Sequence, residues 1–346
     1  MENGLRDRIR ALPKIELHRH LEGSVRLSTL VDIAKSYDLG LALPTLDALR
    51  PLVQMTDGDE RSAQGFLSKF QALREFYRSP EIVQRIAYEA VVDAALDNIK
   101  YMELRFTPKA MCSLSSLSFD DATFAVCDAA NAAANEYGIM VRYIVSINRH
   151  ESVDLGYEAL ESAVRYRDLG IVGFDLAGAE ADYPASLFRD VFAKASAAGL
   201  GITIHAGEWA GVESIRDALD HMAVDRIGHG IASAHDAAIQ SELIERGIVL
   251  EVCPMSNVLS GVVPTLSEHP LARLTQEGVW TTINTDDPSV CDVTLTDEIA
   301  YAVENGLMLE ADIPDYTLRA AGAAFLPQQE CDDLVATFNG WLMEAD

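Results

Sequence analysis

The chain has 346 residues, 49% of them hydrophobic, with 54 acidic against 27 basic side chains and a formal net charge of −27. That length suits two average domains or one large α/β barrel. The charge repels polyanions, so a nucleic-acid polymer is excluded as a partner. No apolar run is long enough to cross a bilayer, and the first residues, with Arg6, Asp7, Arg8 and Arg10, lack the apolar core of a secretion signal. No membrane association is expected, and a cytoplasmic location is. The five cysteines, Cys112, Cys127, Cys253, Cys291 and Cys331, form no C-x-x-C pair. They read as small buried side chains in a reducing compartment, which argues against a thiolate zinc site.

The first β-like run, Lys14–Leu21, carries His18-Arg19-His20 near its end. Residues two apart on an extended strand project from one face, so both imidazoles can reach one centre. A long connection follows, and from about Leu41 to Asn98 it must hold several helices. Within it Phe66 and Phe70 share a helical face. That face either packs on the body of the protein or forms an apolar lid.

Seven further β-like runs follow: Lys100–Phe106, Met140–Ile147, Val172–Leu176, Gly201–His205, Arg226–His229, Ile248–Cys253 and Val279–Asn284. Helical patterns alternate with them: Asp120–Tyr137, Leu155–Asp168, Pro184–Ala198, Val212–Met222, His235–Arg246 and Leu271–Glu277. This alternation predicts a parallel sheet with right-handed crossovers. Eight units favour closure, and no G-x-G-x-x-G follows the first strand as an open nucleotide-binding sheet would require. Pro314 to Asp346 reads as two final helices. The expected fold is α/β, a (β/α)8 TIM barrel in one domain over 1–346, with extra helices inserted after the first strand and at the C-terminus.

In such a barrel the strand ends meet at one mouth. His205 ends an apolar run and can supply a third nitrogen; Asp286, after Thr281-Thr282-Ile283-Asn284, can supply an oxygen. Three His and one Asp leave a coordination position open for water, which marks a catalytic site. Zinc suits these ligands best, with iron or manganese as alternatives. Glu208 lies in the turn after His205, His229 stands between two glycines, and Asp287 adjoins Asp286. Adjacent acids in an apolar stretch are costly unless they bind something.

His150, His221, His235 and His269 read as solvated loop or helix residues, and Arg105 as a barrel-interior partner of Glu103 on the same strand. Val252-Cys253-Pro254 lacks the second Cys and the H-x-E string of the cytidine-deaminase class of zinc site.

Five ordered strings carry a resemblance. They are Pro13-Lys14-Ile15-Glu16-Leu17-His18-Arg19-His20-Leu21-Glu22-Gly23, Phe174-Asp175-Leu176-Ala177-Gly178, His205-Ala206-Gly207-Glu208, Arg226-Ile227-Gly228-His229-Gly230 and Asn284-Thr285-Asp286-Asp287-Pro288. Together they resemble the adenosine deaminase family of metal-dependent hydrolases. The resemblance implies that His18, His20, His205 and Asp286 hold one zinc ion per chain. It implies that Glu208 protonates purine N1, that His229 orients and deprotonates the attacking water, that Asp287 holds N7, and that the Gly178 backbone meets N3.

By the same resemblance, metal-activated hydroxide attacks C6 of adenosine and releases inosine and ammonia. Glu208 and Asp287 must both be protonated for these roles, which a water-poor pocket favours. Glu22 departs from the Asp that adenosine deaminases commonly place at the ribose 5′-hydroxyl, and Glu is familiar from relatives acting on adenine. Phe66 and Phe70 resemble the lid segment of the nucleoside enzymes. The expected partner is a small purine nucleoside or base: adenosine first, with adenine or another 6-aminopurine such as aminodeoxyfutalosine as the alternative.

Overall fold

A computed structural model of the chain describes residues 2–37 and 45–345. Eight strands form one parallel sheet in chain order: β1 (Lys14–His20), β2 (Ile99–Phe106), β3 (Met140–Asn148), β4 (Ile171–Ala177), β5 (Gly201–Ala206), β6 (Arg226–His229), β7 (Val249–Val252) and β8 (Thr281–Ile283). Every neighbouring pair from β1–β2 to β7–β8 is parallel. The eight expected strands are all present, with ends shifted by up to two residues. Val279 and Trp280 lie before β8, and Ile248 before β7.

The seam between last and first strand is short. Arg19 and Asp286 form a single parallel bridge there. The amide of His20 donates to the Asp286 carbonyl at 2.7 Å, and the Asp286 amide to the His18 carbonyl at 3.0 Å. One turn lower, the Leu17 amide donates to Asn284 Oδ1 at 2.9 Å. The ring is therefore completed by the same residues that the sequence marks as metal ligands.

Strands buried on both faces read as continuous apolar runs; β4 and β5 follow that rule but for Asp175 and His205, while β2 carries Lys100, Glu103 and Arg105. The helices form the outer layer. Phe119–Tyr137 opens with a capping box between Ser118 and Asp121 and stops at Gly138, whose φ of 67° is the left-handed C-cap. Helices Ile313–Gly322 and Gln328–Ala345 follow β8 as expected. Ala320, Ala321, Leu334 and Phe338 share a buried apolar cluster with Ile15, Leu17 and Tyr101.

Among the described residues after β1 the chain forms four helices rather than a compact return: Leu27–Ser36, Leu46–Val53, Ala63–Arg74 and Pro80–Leu96. The helical insertion thus begins earlier than residue 41, and residues 41–44 of it lie outside the described residues. Among the described residues five further α-helices escaped the sequence reading: Glu2–Ala11, Pro108–Cys112, Pro254–Leu259, Pro288–Cys291 and Leu295–Glu304. Glu2–Ala11 is tied to Leu295–Glu304 by Arg6, which meets Asp297 at 3.2 Å and Glu304 at 2.7 Å. Among the described residues no helix is long and apolar enough to cross a membrane.

Candidate active site

The C-terminal ends of β1, β5, β6 and β8 bring the predicted residues together. His18 and His20 project from one face of β1. His18 Nε2 lies 3.1 Å and His20 Nε2 3.4 Å from Asp286 Oδ1, while His20 Nε2 and His205 Nε2 are 3.3 Å apart. One ligand atom from each of these four residues falls within 4.8 Å of the others. His229 and Asp286 reach the centre from a left-handed backbone, φ 59° and 61°. Side chains other than glycine rarely adopt that conformation, and it turns both of them inward at the strand ends.

This donor set fits a zinc ion. His18 Nε2 is buried and has no hydrogen-bond partner, and two imidazole nitrogens facing each other at 3.3 Å repel unless a cation or proton stands between them. The far nitrogens are committed to carboxylates. His18 Nδ1 lies 2.6 Å from Glu251 Oε2, and His205 Nδ1 3.0 Å from Asp175 Oδ1. Each Nδ1–H donates to its carboxylate, so each Nε2 directs a lone pair inward. Three nitrogens and one oxygen with an open side is the arrangement of a catalytic zinc site.

A layer of buried charge underlies the cluster. Arg105 reaches Glu251 at 2.8 Å and Asp175 at 3.4 Å. The expected Arg105–Glu103 pairing is not formed: Glu103 takes Arg226 at 2.5 Å instead, and Arg226 also meets Glu251 at 2.6 Å. Glu103 and Arg105 do share a strand face. The cross-barrel carboxylates simply lie closer to the guanidinium, and pairing with two of them offsets its desolvation better than one neighbour would.

Glu208, His229 and Asp287 line one cavity with His20, His205 and Asp286. His229 Nε2 stands 3.6 Å from Glu208 Oε2 and 3.8 Å from Asp286 Oδ2. Burial, then the charges of Asp286, Glu180 and Asp287, pushes the Glu208 carboxyl well above the usual carboxylate range. Burial, then Asp286 and Glu22, does the same to Asp287. Both acids therefore hold their protons more tightly than an ordinary carboxyl group. Burial holds His229 well below the usual imidazole value, keeping it neutral.

Glu180 sets the Glu208 turn. Its carboxylate accepts the backbone N–H groups of Gly207, Glu208 (3.1 Å), Trp209 and Ala210 (3.2 Å). Arg149, itself buried, holds the strand end through the His205 carbonyl. Ser256 Oγ donates to Asp286 Oδ2 at 2.7 Å. These supporting groups were not singled out in the sequence.

The predicted substrate residues line the same cavity: Glu22, Phe66, Phe70 and Gly178. Glu22 Oε1 accepts the Thr107 amide at 2.6 Å, while Glu22 Oε2 and Asp287 Oδ1 are buried without partners. Unmet buried polar atoms at a cavity wall are where ligand groups are expected. Phe66 and Phe70 face each other with ring centroids 5.9 Å apart. Gly178 has φ 92°, and a Cβ there would come within 3.3 Å of Asn148 and His150.

Two histidines set aside as solvated belong to the site region. His269 is buried and bonded to Asn257; its loop position hid that packing. His150 is exposed, yet it lines the cavity rim. His221 and His235 are exposed as expected.

Fold and site together define a hydrolase built on a (β/α)8 barrel. The sequence pattern of the adenosine deaminase family matches residues 13–340. The chain is 38% identical to the adenosine deaminase of Serratia proteamaculans over 319 residues, covering 92% of this chain and 96% of that one. Among solved structures it resembles the N6-methyl-AMP deaminase of Arabidopsis thaliana, with a TM-score of 0.86 and 28% identity over 98% of this chain and 99% of the other. It also resembles a zinc-bound amidohydrolase from Burkholderia ambifaria, with a TM-score of 0.86 and 27% identity over 98% and 94%. The chain belongs to the adenosine deaminase family, hydrolases acting on C–N bonds in cyclic amidines.

Proposed function

We propose that the chain deaminates adenosine to inosine and ammonia, with one zinc ion held by His18, His20, His205 and Asp286. The observation that carries this reading is the pair of buried acids, Glu208 and Asp287, pushed towards their protonated forms on the walls of a cavity floored by three imidazoles. Purine N1 and N7 are acceptors, and a neutral carboxyl group is a donor that matches each.

Zinc in this cluster supplies a Lewis acid that makes water nucleophilic near neutral pH. The protein's own groups do the rest. Asp287 donates to N7 and the Gly178 amide to N3, which fixes the ring plane. Glu208 gives its proton to N1 as the water oxygen bonds to C6, so no negative charge builds on the ring. The Glu208 carboxylate left behind takes the proton the attacking oxygen sheds and passes it to N6; the C6–N6 bond breaks, ammonia leaves, the oxygen's second proton returns to Glu208, and a 6-oxopurine remains. Phe66 and Phe70 exclude water from the open side, and helix Ala63–Arg74 serves as a lid. Zinc-loaded protein should convert adenosine to inosine with the matching ultraviolet change and release of ammonia. Tight adenosine binding with no ammonia would reject the reading.

A specific observation favours a second substrate. Phe66, Phe70 and Arg74 are spaced four apart on helix Ala63–Arg74, and all three line the cavity. Among the described residues the Arg74 guanidinium has neither a hydrogen-bond nor an ion-pair partner. A 6-aminopurine nucleoside with an anionic 5′ substituent would pair with it, and one similar structure is named a deaminase of a nucleotide, N6-methyl-AMP. Comparing kcat/KM for adenosine and AMP in wild type and Arg74→Gln decides the matter. An AMP preference that the substitution removes supports the second reading, and a strong adenosine preference in both proteins rejects it.

A further inference from the structure

A chain of hydrogen bonds leads from a backbone amide to the cavity, and each link allows one direction only. The Leu271 N–H donates to His269 Nδ1 at 3.1 Å. A backbone amide is always a donor, so Nδ1 of His269 carries no proton. Burial holds the His269 imidazole down to about 4, so the ring is neutral. Its single proton therefore sits on Nε2.

His269 Nε2 lies 3.2 Å from Asn257 Oδ1, which must accept that proton. With its oxygen so engaged, Asn257 presents its amide nitrogen to the other side, where Nδ2 stands 3.1 Å from His229 Nδ1. An amide N–H donates, so His229 Nδ1 accepts. The reverse amide orientation would set a donor against the His269 Nε2–H. Reversing His269 as well would set a donor against the Leu271 N–H. All three side chains are buried, so water does not relieve either clash.

We propose that Asn257 and His269 are positioning residues which lock His229 in its neutral, Nε2-protonated tautomer. That proton faces Glu208 and Asp286 across 3.6 and 3.8 Å, on the cavity side. His229 then offers the attacking oxygen a hydrogen rather than a lone pair. It orients the nucleophile and stabilises charge there, instead of removing the proton as the family resemblance implies; that proton goes to the Glu208 carboxylate left after transfer to N1, 3.6 Å from His229 Nε2. The kinetic part of this inference rests on the proposed deamination; the tautomer itself does not.

The test uses the full-length zinc-loaded protein labelled with 15N-histidine. Long-range proton–nitrogen correlation spectra report which ring nitrogen of His229 bears hydrogen, with the resonance assigned through His229→Gln. The wild type is expected to show a protonated Nε2 and a bare Nδ1. In Asn257→Asp the carboxylate only accepts, so His229 should move its proton to Nδ1. In the same variant kcat for adenosine should fall by about 10²-fold, as when a donor to a developing oxyanion is lost, with KM changed by less than about threefold.

His269→Gln keeps an acceptor for Leu271 and a donor for Asn257, so it should retain the wild-type tautomer and near wild-type kcat. A wild-type His229 protonated on Nδ1 overturns the proposal. So does an Asn257→Asp variant whose tautomer and kcat both stay unchanged. If adenosine is not turned over at all, the deamination reading fails, and the tautomer result still stands on the spectrum. If Asn257→Asp does not fold, the wild-type and His269→Gln spectra decide.

Discussion

Glu251 Oε2 lies 2.6 Å from His18 Nδ1, and Arg105 and Arg226 grip the same carboxylate from two sides. The two guanidiniums hold Glu251 well below the usual carboxylate range despite its burial. It is therefore a fixed anion behind the imidazole, raising the donor strength of His18 Nε2.

Glu251→Gln keeps the shape and removes that charge. Zinc affinity should fall by about 10- to 100-fold, the usual effect of losing the carboxylate behind a ligating histidine. Competition with a chromophoric chelator measures this directly. Unchanged affinity would leave Glu251 a purely structural group.

Glu208→Gln removes a transferable proton and leaves the metal ligands untouched. kcat should drop by about 10²- to 10⁴-fold, with zinc content unchanged by elemental analysis. A variant that retains full turnover would remove Glu208 from the proton transfer.

Glu22 is pushed up to about 7 by burial, against the opposing pull of the Thr107 amide. Below that pH it is neutral, and above it the carboxylate is charged. For a substrate with an anionic 5′ group, KM should therefore rise as pH climbs through about 7 and like charges meet. Adenosine, whose 5′-hydroxyl can donate or accept, should show little change. Glu22→Gln should flatten the profile for the anionic substrate, and a KM that rises equally in that variant would assign the titration elsewhere.

Gly23 leaves no room for a side chain. A Cβ there would stand 1.9 Å from Asp287 Oδ1 and 2.4 Å from its Cβ. Gly23→Ala must displace the Asp287 side chain, and kcat/KM should fall by about 10²-fold, as for other ångström-scale misplacements. Zinc content, which the proposed ligand set assigns to Asp286 and the imidazoles, should hold. Loss of zinc alongside activity would show that the two aspartates move as one.

What the sequence discloses follows the range of the interactions involved. The β1 imidazoles are two residues apart, so their shared face was legible without any fold. His205, His229 and Asp286 were legible because each ends an apolar run. Asn257, His269 and Glu180 act across 28, 12 and 27 to 30 residues, and no local pattern ties them to their partners. A signal did exist for Glu251 and for Asp175. Each is a lone carboxylate inside a continuous apolar strand, and such a charge stays buried only when it is paired. The Arg105 pairing failed for the complementary reason: a spacing of two predicts a shared face, not which charge across the barrel is nearer.

The seam between β8 and β1 makes the ring's last joint and the proposed seat of the ion one object. During synthesis the imidazoles of His18 and His20 leave the ribosome long before the carboxylate of Asp286, since domains are made from the N-terminus onward. A nascent or truncated chain that stops short of residue 286 has neither a shut cylinder nor a full ligand set. On the proposed ligand set, a chain must reach residue 286 before it can hold the metal.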